Sequence, residues 1–183
     1  MHVHGSSDLL AEKLSRLGAL KGIVDVNLNL GFPLADRHFY KCDLDVISGA
    51  GFLQLCAISH ASRLKKLVID VSENPIGDAV GHVREFRAHP NLTDVCLDFS
   101  GCGLGDDGLR GISELKVMPV LKCLCIDICR NHRITHQGIK DISDVSICPT
   151  LVYLRLVLYF HIEMAACLRS AAHPALRWEI LRS

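Results

Sequence analysis

The sequence predicts an α/β solenoid built from repeated strand–helix units, and three observations carry that reading. Four of the six prolines stand in one recurring phrase: Pro90-Asn-Leu92, Pro119-Val-Leu121, Pro149-Thr-Leu151 and Pro174-Ala-Leu176, spaced 29, 30 and 25 residues apart. The first three phrases each run into an alternating apolar series, Leu92-Val95-Leu97-Phe99, Leu121-Leu124-Ile126-Ile128 and Leu151-Leu154-Leu156-Leu158. A copy without proline precedes them, Leu64-Leu67-Ile69-Val71. A short strand and a helix recurring at such a period form a unit that buries its apolar face only against its neighbours.

Composition fits this architecture. The 183 residues fall in the range of a single domain, and 49% apolar content suffices for a continuous core. Aromatics are only 5%, as expected where aliphatic side chains interdigitate with counterparts in adjacent units. Net charge is zero, so no global field recruits nucleic acid or an anionic membrane surface. The longest apolar run, Leu151 to Phe160, is about half of a bilayer span and contains Arg155. Neither membrane insertion nor a secretory leader is expected. Nine cysteines, an odd number in a chain read as non-secreted, predict reduced thiols that pack as small hydrophobes.

Taken in order, the elements begin with Ser7 to Gly18, where Leu9, Leu10, Leu14 and Leu17 outline an amphipathic capping helix within residues 1–22. Residues 23–63 are less regular. Val24, Val26, Leu28 and Leu30 alternate, and so do Cys42, Leu44 and Val46. Counted back from Leu64, Phe39-Cys42-Leu44-Val46 fits a shortened unit with a helix near Gly51–Ile58. The earlier stretch is then either a helix-less degenerate repeat, or the partner of an antiparallel capping hairpin through Gly31-Phe-Pro33.

Regular units occupy residues 64–175. In each, a polar or thiol residue follows the strand, Asn74, Cys102 or Asn131, and is expected to bond backbone groups left unpaired inside the stack. A buried aliphatic comes next, Ile76, Leu104 or Ile134, before a glycine-containing helix start with aspartate or threonine at cap or first-turn positions. Helical spacing then relates Val80, Val83 and Phe86; Leu109, Ile112 and Leu115; and Ile139, Ile142 and Val145. Proline ends each return loop because it pushes the preceding residue out of helical geometry. Residues 176–183 read as a terminal strand, and an uncapped stack there suggests a truncated chain or a docked partner.

These residues resemble the leucine-rich repeat family, in its ribonuclease-inhibitor-like and cysteine-containing subclasses. The resemblance covers Leu64 to Leu158. Ile134-Thr-x-x-Gly-Ile139-x-x-Ile142 followed by Cys148-Pro-x-Leu151-x-x-Leu154-x-Leu156 is close to the cysteine-containing consensus found in many ubiquitin-ligase substrate receptors. Leu104-Gly-Asp-Asp-Gly-Leu109 looks more like the ribonuclease-inhibitor or Ran-GTPase-activator form. The resemblance implies a curved right-handed stack, a leucine-rich repeat solenoid with strands on the concave face and helices on the convex face. It implies no particular activity, since the repeat is a scaffold reused for unrelated tasks.

On that fold the outward strand positions align across units. The middle column reads Asn29, Asp45, Asp70, Asp98, Asp127 and Val157, and parallel strands about 4.8 Å apart bring successive carboxylates near contact. They repel by roughly 1 kcal/mol per neighbour in water. The column is either an acidic stripe awaiting a basic partner, or a set of structural aspartates bonding nearby backbone and hydroxyls such as Ser72 and Ser100. Beside it lie Arg155 and Tyr159, residue types that anchor interfaces.

Cys123-x-Cys125-x3-Cys129-x2-His132-x3-His136 offers soft ligands, but a strand and turn disperse them, so no metal is assigned. The chain contains no phosphate-binding loop, nucleophile elbow, zinc-protease helix or dinucleotide fingerprint. No cofactor and no enzymatic activity are expected. The expected function is a non-catalytic protein-interaction module or scaffold subunit of a larger assembly. It would bind a basic protein partner through Asp45, Asp70, Asp98, Asp127, Arg155 and Tyr159. The alternative is an adaptor or regulator, such as a substrate-receptor fragment of a ubiquitin ligase or a GTPase-activator-like repeat protein. An intracellular setting is expected, cytoplasmic with the nucleus left open.

Overall fold

Strands recurring every 25 to 30 residues leave room for one helix between them, and the structure, a computed structural model, shows the resulting order. It describes Arg16, residues 22–31, 46–158, and the backbone of 177–181. The expected capping helix within residues 1–22 therefore lies, Arg16 apart, outside the described residues. Six strands, β1 (Asp25–Asn29), β2 (Lys66–Asp70), β3 (Asp94–Asp98), β4 (Cys123–Asp127), β5 (Tyr153–Val157) and β6 (Arg177–Leu181), form one sheet in sequence order. Every neighbouring pair is parallel. The molecule is thus mixed α/β with a parallel sheet and intervening helices.

The helices are α1 (Gly49–Leu55), a 3-10 helix over Gly77–Ala88, α2 (Asp106–Ser113) and α3 (His136–Ser143). α1, α2 and α3 each tighten into a 3-10 turn at the C-terminal end. Leu67 and Ile69, Val95 and Leu97, Leu124 and Ile126, and Leu154 and Leu156 occupy equal register positions, and all are buried between sheet and helices. The predicted helical triads Val80-Val83-Phe86, Leu109-Ile112-Leu115 and Ile139-Ile142-Val145 close the same core from the other side. Phe52 of α1 meets Phe99 edge-on at 5.6 Å between ring centroids, a favoured aromatic geometry.

The N-terminal part differs from expectation. β1 pairs directly with β2 through Asn29↔Asp70, so no strand from Phe39–Val46 stands between them. Val46 is 45% exposed, whereas an inward strand residue there would be buried. Ile47 occupies the buried pre-helix position that Ile76, Leu104 and Ile134 hold in later units. Residues 32–45 lie outside the described residues, and the direct pairing of β1 with β2 leaves no place for a strand between them. Alternation such as that of Cys42-Leu44-Val46 does not by itself decide register, which pairing partners set.

Because β4 is covered on both sides, Leu124 (0% exposed) tests the core. Leu124→Ala is expected to lower unfolding free energy by about 2–5 kcal/mol in urea titration. A loss under about half a kcal/mol would be the size of a surface substitution and would place Leu124 outside the core.

Candidate functional site

Alternation sends one side of every strand into the core and the other to an open face of the sheet. On that face the register sets Asn29, Asp70, Asp98, Asp127 and Val157 side by side. Of the predicted site residues, Asp70, Asp98 and Asp127 are therefore brought together. Arg155 lies in the adjacent column, in register with Cys125, diagonal to Asp127. Tyr159 lies outside the described residues, as does Asp45. Asn29 is the residue in register with Asp70, so the structure removes Asp45 from the column between them.

Each aspartate has a fixed local task. Asp70 Oδ1 accepts from Ser72 N–H at 3.0 Å, Asp98 Oδ1 from Ser100 N–H at 2.9 Å, and Asp127 Oδ1 from Cys129 N–H at 2.9 Å. These turns, where an Asx side chain caps the backbone two residues on, hold the carboxylates half-buried with one oxygen committed to the chain. Burial raises the pKa of Asp98 above its ordinary 3.8, hydrogen bonds from Ser100 oppose that shift, and the charges of Asp127 and Asp70 add to it.

The turn residues behave as expected and add detail. Asn131 Nδ2 donates to its own Ile128 and Cys129 carbonyls at 2.9 and 3.1 Å and to Phe99 of the preceding unit at 2.9 Å. Its Oδ1 accepts from Leu104 N–H at 2.9 Å. Asn74 likewise reaches Leu30, Val71 and Ser72 carbonyls and accepts from Ile47 N–H at 2.8 Å. Cys102 manages only the donor half, its thiol meeting Val71 O at 3.2 Å.

One site was missed from the sequence. The residues just before the three turn positions, Glu73, Gly101 and Arg130, all have positive φ. Gly101 carries no side chain, and a Cβ there would lie 2.5 Å from the Glu73 carboxylate carbon. Through that gap Arg130 Nη2 reaches Glu73 Oε1 at 2.7 Å, with Glu73 only 4% exposed, and also donates to Ser100 Oγ at 3.2 Å. The pair spans 57 positions of chain, so only the recurrence of the turn would have aligned its members.

The helix starts also hold one another. Asp78 Oδ1 accepts from Gly105 and Gly108 N–H at 2.7 and 3.2 Å, and Asp106 takes bonds from Thr135 N and Oγ1 at 2.8 and 2.6 Å. The expected aspartates thus cap the following unit's helix as well as lying in their own first turn. Thr135 caps its own helix through Gln137 N–H at 3.1 Å.

Cys123 and Cys125 are half-buried on the open face, Cys129 is buried in the turn, and His132 and His136 are exposed beyond it. Among the described residues no group of three or more His, Cys, Asp or Glu is arranged to hold a metal ion. Also among them, no helix is long and apolar enough to cross a membrane. All seven described cysteines are free thiols. No protein-family model matches the chain, and no curated protein matches it either.

Two outcomes follow from this geometry. Asp98 binds its proton more tightly folded than unfolded, so its stabilising contribution is full below the unfolded value and is lost as pH rises through the folded one. Asp98→Asn keeps the acceptor for Ser100. Compared with it, the parent protein is expected to gain stability as pH falls from neutral toward 3.8, measured by urea titration across pH; a loss on acidification relative to the variant contradicts the assignment.

Arg130→Met is expected to strand a buried carboxylate, and adding Glu73→Gln to relieve it. The double-mutant cycle should give a coupling of about 0.5–3 kcal/mol in guanidinium titration. Additive effects would mark the pair as energetically idle.

Proposed function

We propose that this chain is a non-catalytic, leucine-rich-repeat-type solenoid whose open sheet face docks a basic segment of a protein partner. The observation that carries the reading is the register of Asp70, Asp98 and Asp127. Three carboxylates stand on adjacent strands with hydration reduced by burial, and a cationic side chain from a partner relieves both their mutual repulsion and their desolvation. Arg155 stands on β5 in the column beside the aspartates, in register with Cys125, and favours a partner that is basic over the aspartates and acidic or polar beyond them.

The helical side offers less. Several of its cations are already matched: Arg87 with Glu114 at 2.8 Å and Lys116 with Asp144 at 2.8 Å across units, and Arg110 with Asp107 at 2.8 Å in its own helix and Asp141 at 3.5 Å in the next. Such exposed pairs contribute little stability, about 0–1 kcal/mol each, but they leave that surface with its charge locally neutralised. The seven free thiols support an intracellular setting, in keeping with reduced compartments.

The test begins with affinity purification of partners followed by mass spectrometry. Replacing Asp70 and Asp98 together by asparagine removes two charges and keeps both Asx turns. Binding of the purified partner should weaken by about tenfold or more, with a shallower salt dependence, while folding stability holds or rises. Unchanged binding with lowered stability would make the aspartates structural and shift attention to Arg84, Arg87, Arg110 and Lys116 on the helical side.

A further inference from the structure

Outside the aspartate column the open face carries a second grouping of reactive side chains. Cys123 and Cys125 occupy successive outward positions of β4, and Cys96 of β3 is in register with Cys125. Together with Lys66, Val68 and Asp94 they line a shallow depression of about 270 Å³. Cys123 and Cys125 thus line one depression from positions two apart on the same strand.

We propose that Cys123 and Cys125 form a chelating dithiol for a trivalent organoarsenic centre, whose organic group occupies the depression beside Val68. The inference does not rest on the docking reading above; it concerns different side chains of the same face.

The strand geometry selects a bridged pair over a directly bonded one. Successive outward positions are separated by about 6.6 Å between Cα atoms, at the outer limit of about 4.4–6.8 Å that a disulfide tolerates, and the two side chains leave the strand side by side. One atom bonded to both sulfurs spans that separation with less distortion than a sulfur–sulfur bond does. Charge points the same way as this geometry. A metal cation needs both sulfurs as thiolates and expels two protons, yet burial pushes both thiols up, Cys125 to about 12.

An arsenic(III) centre bearing two hydroxyls reacts with neutral thiols. The two arsenic–oxygen bonds break and two arsenic–sulfur bonds form. Each thiol proton leaves with a hydroxide as water, and neither arsenic nor sulfur changes oxidation state. The reaction leaves no charge on the two sulfurs. An enclosed apolar cavity of about 150 Å³ holds a benzene ring, so a depression of this volume has room for a phenyl group beside Val68.

The probe is phenylarsine oxide, added to the full chain under non-denaturing conditions. Intact mass is expected to show one adduct per chain. Alkylation followed by peptide mapping should find Cys123 and Cys125 both protected, and ethane-1,2-dithiol should restore them. Cys125→Ser and Cys123→Ser should each weaken retention by about tenfold or more, while Cys96→Ser leaves it intact. Methylarsonous acid should bind at the same pair but at least about threefold more weakly, because its methyl group fills less of the depression. Protection of other thiols instead, full alkylation of Cys123 and Cys125 in the presence of the probe, or equal loss in Cys96→Ser would overturn the proposal. The mapping is read on the unmodified sequence, so it stands even where a serine variant folds poorly.

Discussion

Everything in this structure depends on satisfying the backbone where each strand turns toward its helix. A turn buried between two neighbours leaves carbonyls and N–H groups that no regular ladder reaches, and an unpaired buried group costs about as much as a lost hydrogen bond. Asn74 and Asn131 meet that demand with both ends of one amide, each donating to three carbonyls and accepting one N–H. Because one donated bond goes to the preceding unit, the same side chain that closes a turn also sets the distance between units. The aliphatic core then packs at a spacing already fixed by polar contacts.

The middle turn shows what happens when that side chain is weaker. Cys102 donates through sulfur but lacks an amide oxygen to receive the N–H of the pre-helix aliphatic residue. Where Ile47 and Leu104 give theirs to an asparagine Oδ1, Ile76 gives its N–H to the Asn74 backbone carbonyl at 2.8 Å, and Gly77 to Cys102 O at 2.9 Å. Gly77 takes positive φ, and the helix beginning there is 3-10 throughout Gly77–Ala88. Missing one acceptor is followed by a tighter, differently launched helix, so a single sulfur-for-amide exchange is felt through a whole connection.

Much of this was legible before any coordinates. The strands after Leu64 and their core residues announced themselves because alternation and the proline phrase recur together, and each copy corroborates the others. Residues 23–46 were less legible for the complementary reason: without a repeat to compare, the alternation of Cys42, Leu44 and Val46 had no external check, and the direct pairing of β1 with β2 leaves no place for it between them. The aspartate column was legible at Asp70, Asp98 and Asp127 because it sits within regular units, and that same pairing leaves no place for Asp45 between Asn29 and Asp70. Glu73–Arg130 was hidden because its enabling residue is an absence, the missing side chain of Gly101, and an absence has no spacing pattern of its own.

The helix caps carry an evolutionary consequence. Asp78 serves the helix that starts at Gly105, and Asp106 serves Thr135, so each unit holds half of a lock whose other half belongs to its successor. The two locks use equivalent positions, Asp78 with Gly105 N–H and Asp106 with Thr135 N–H, so a duplicated or deleted unit would still meet a matching half. The number of units in such a chain can therefore change more readily than the aspartate at each helix start, which every junction uses.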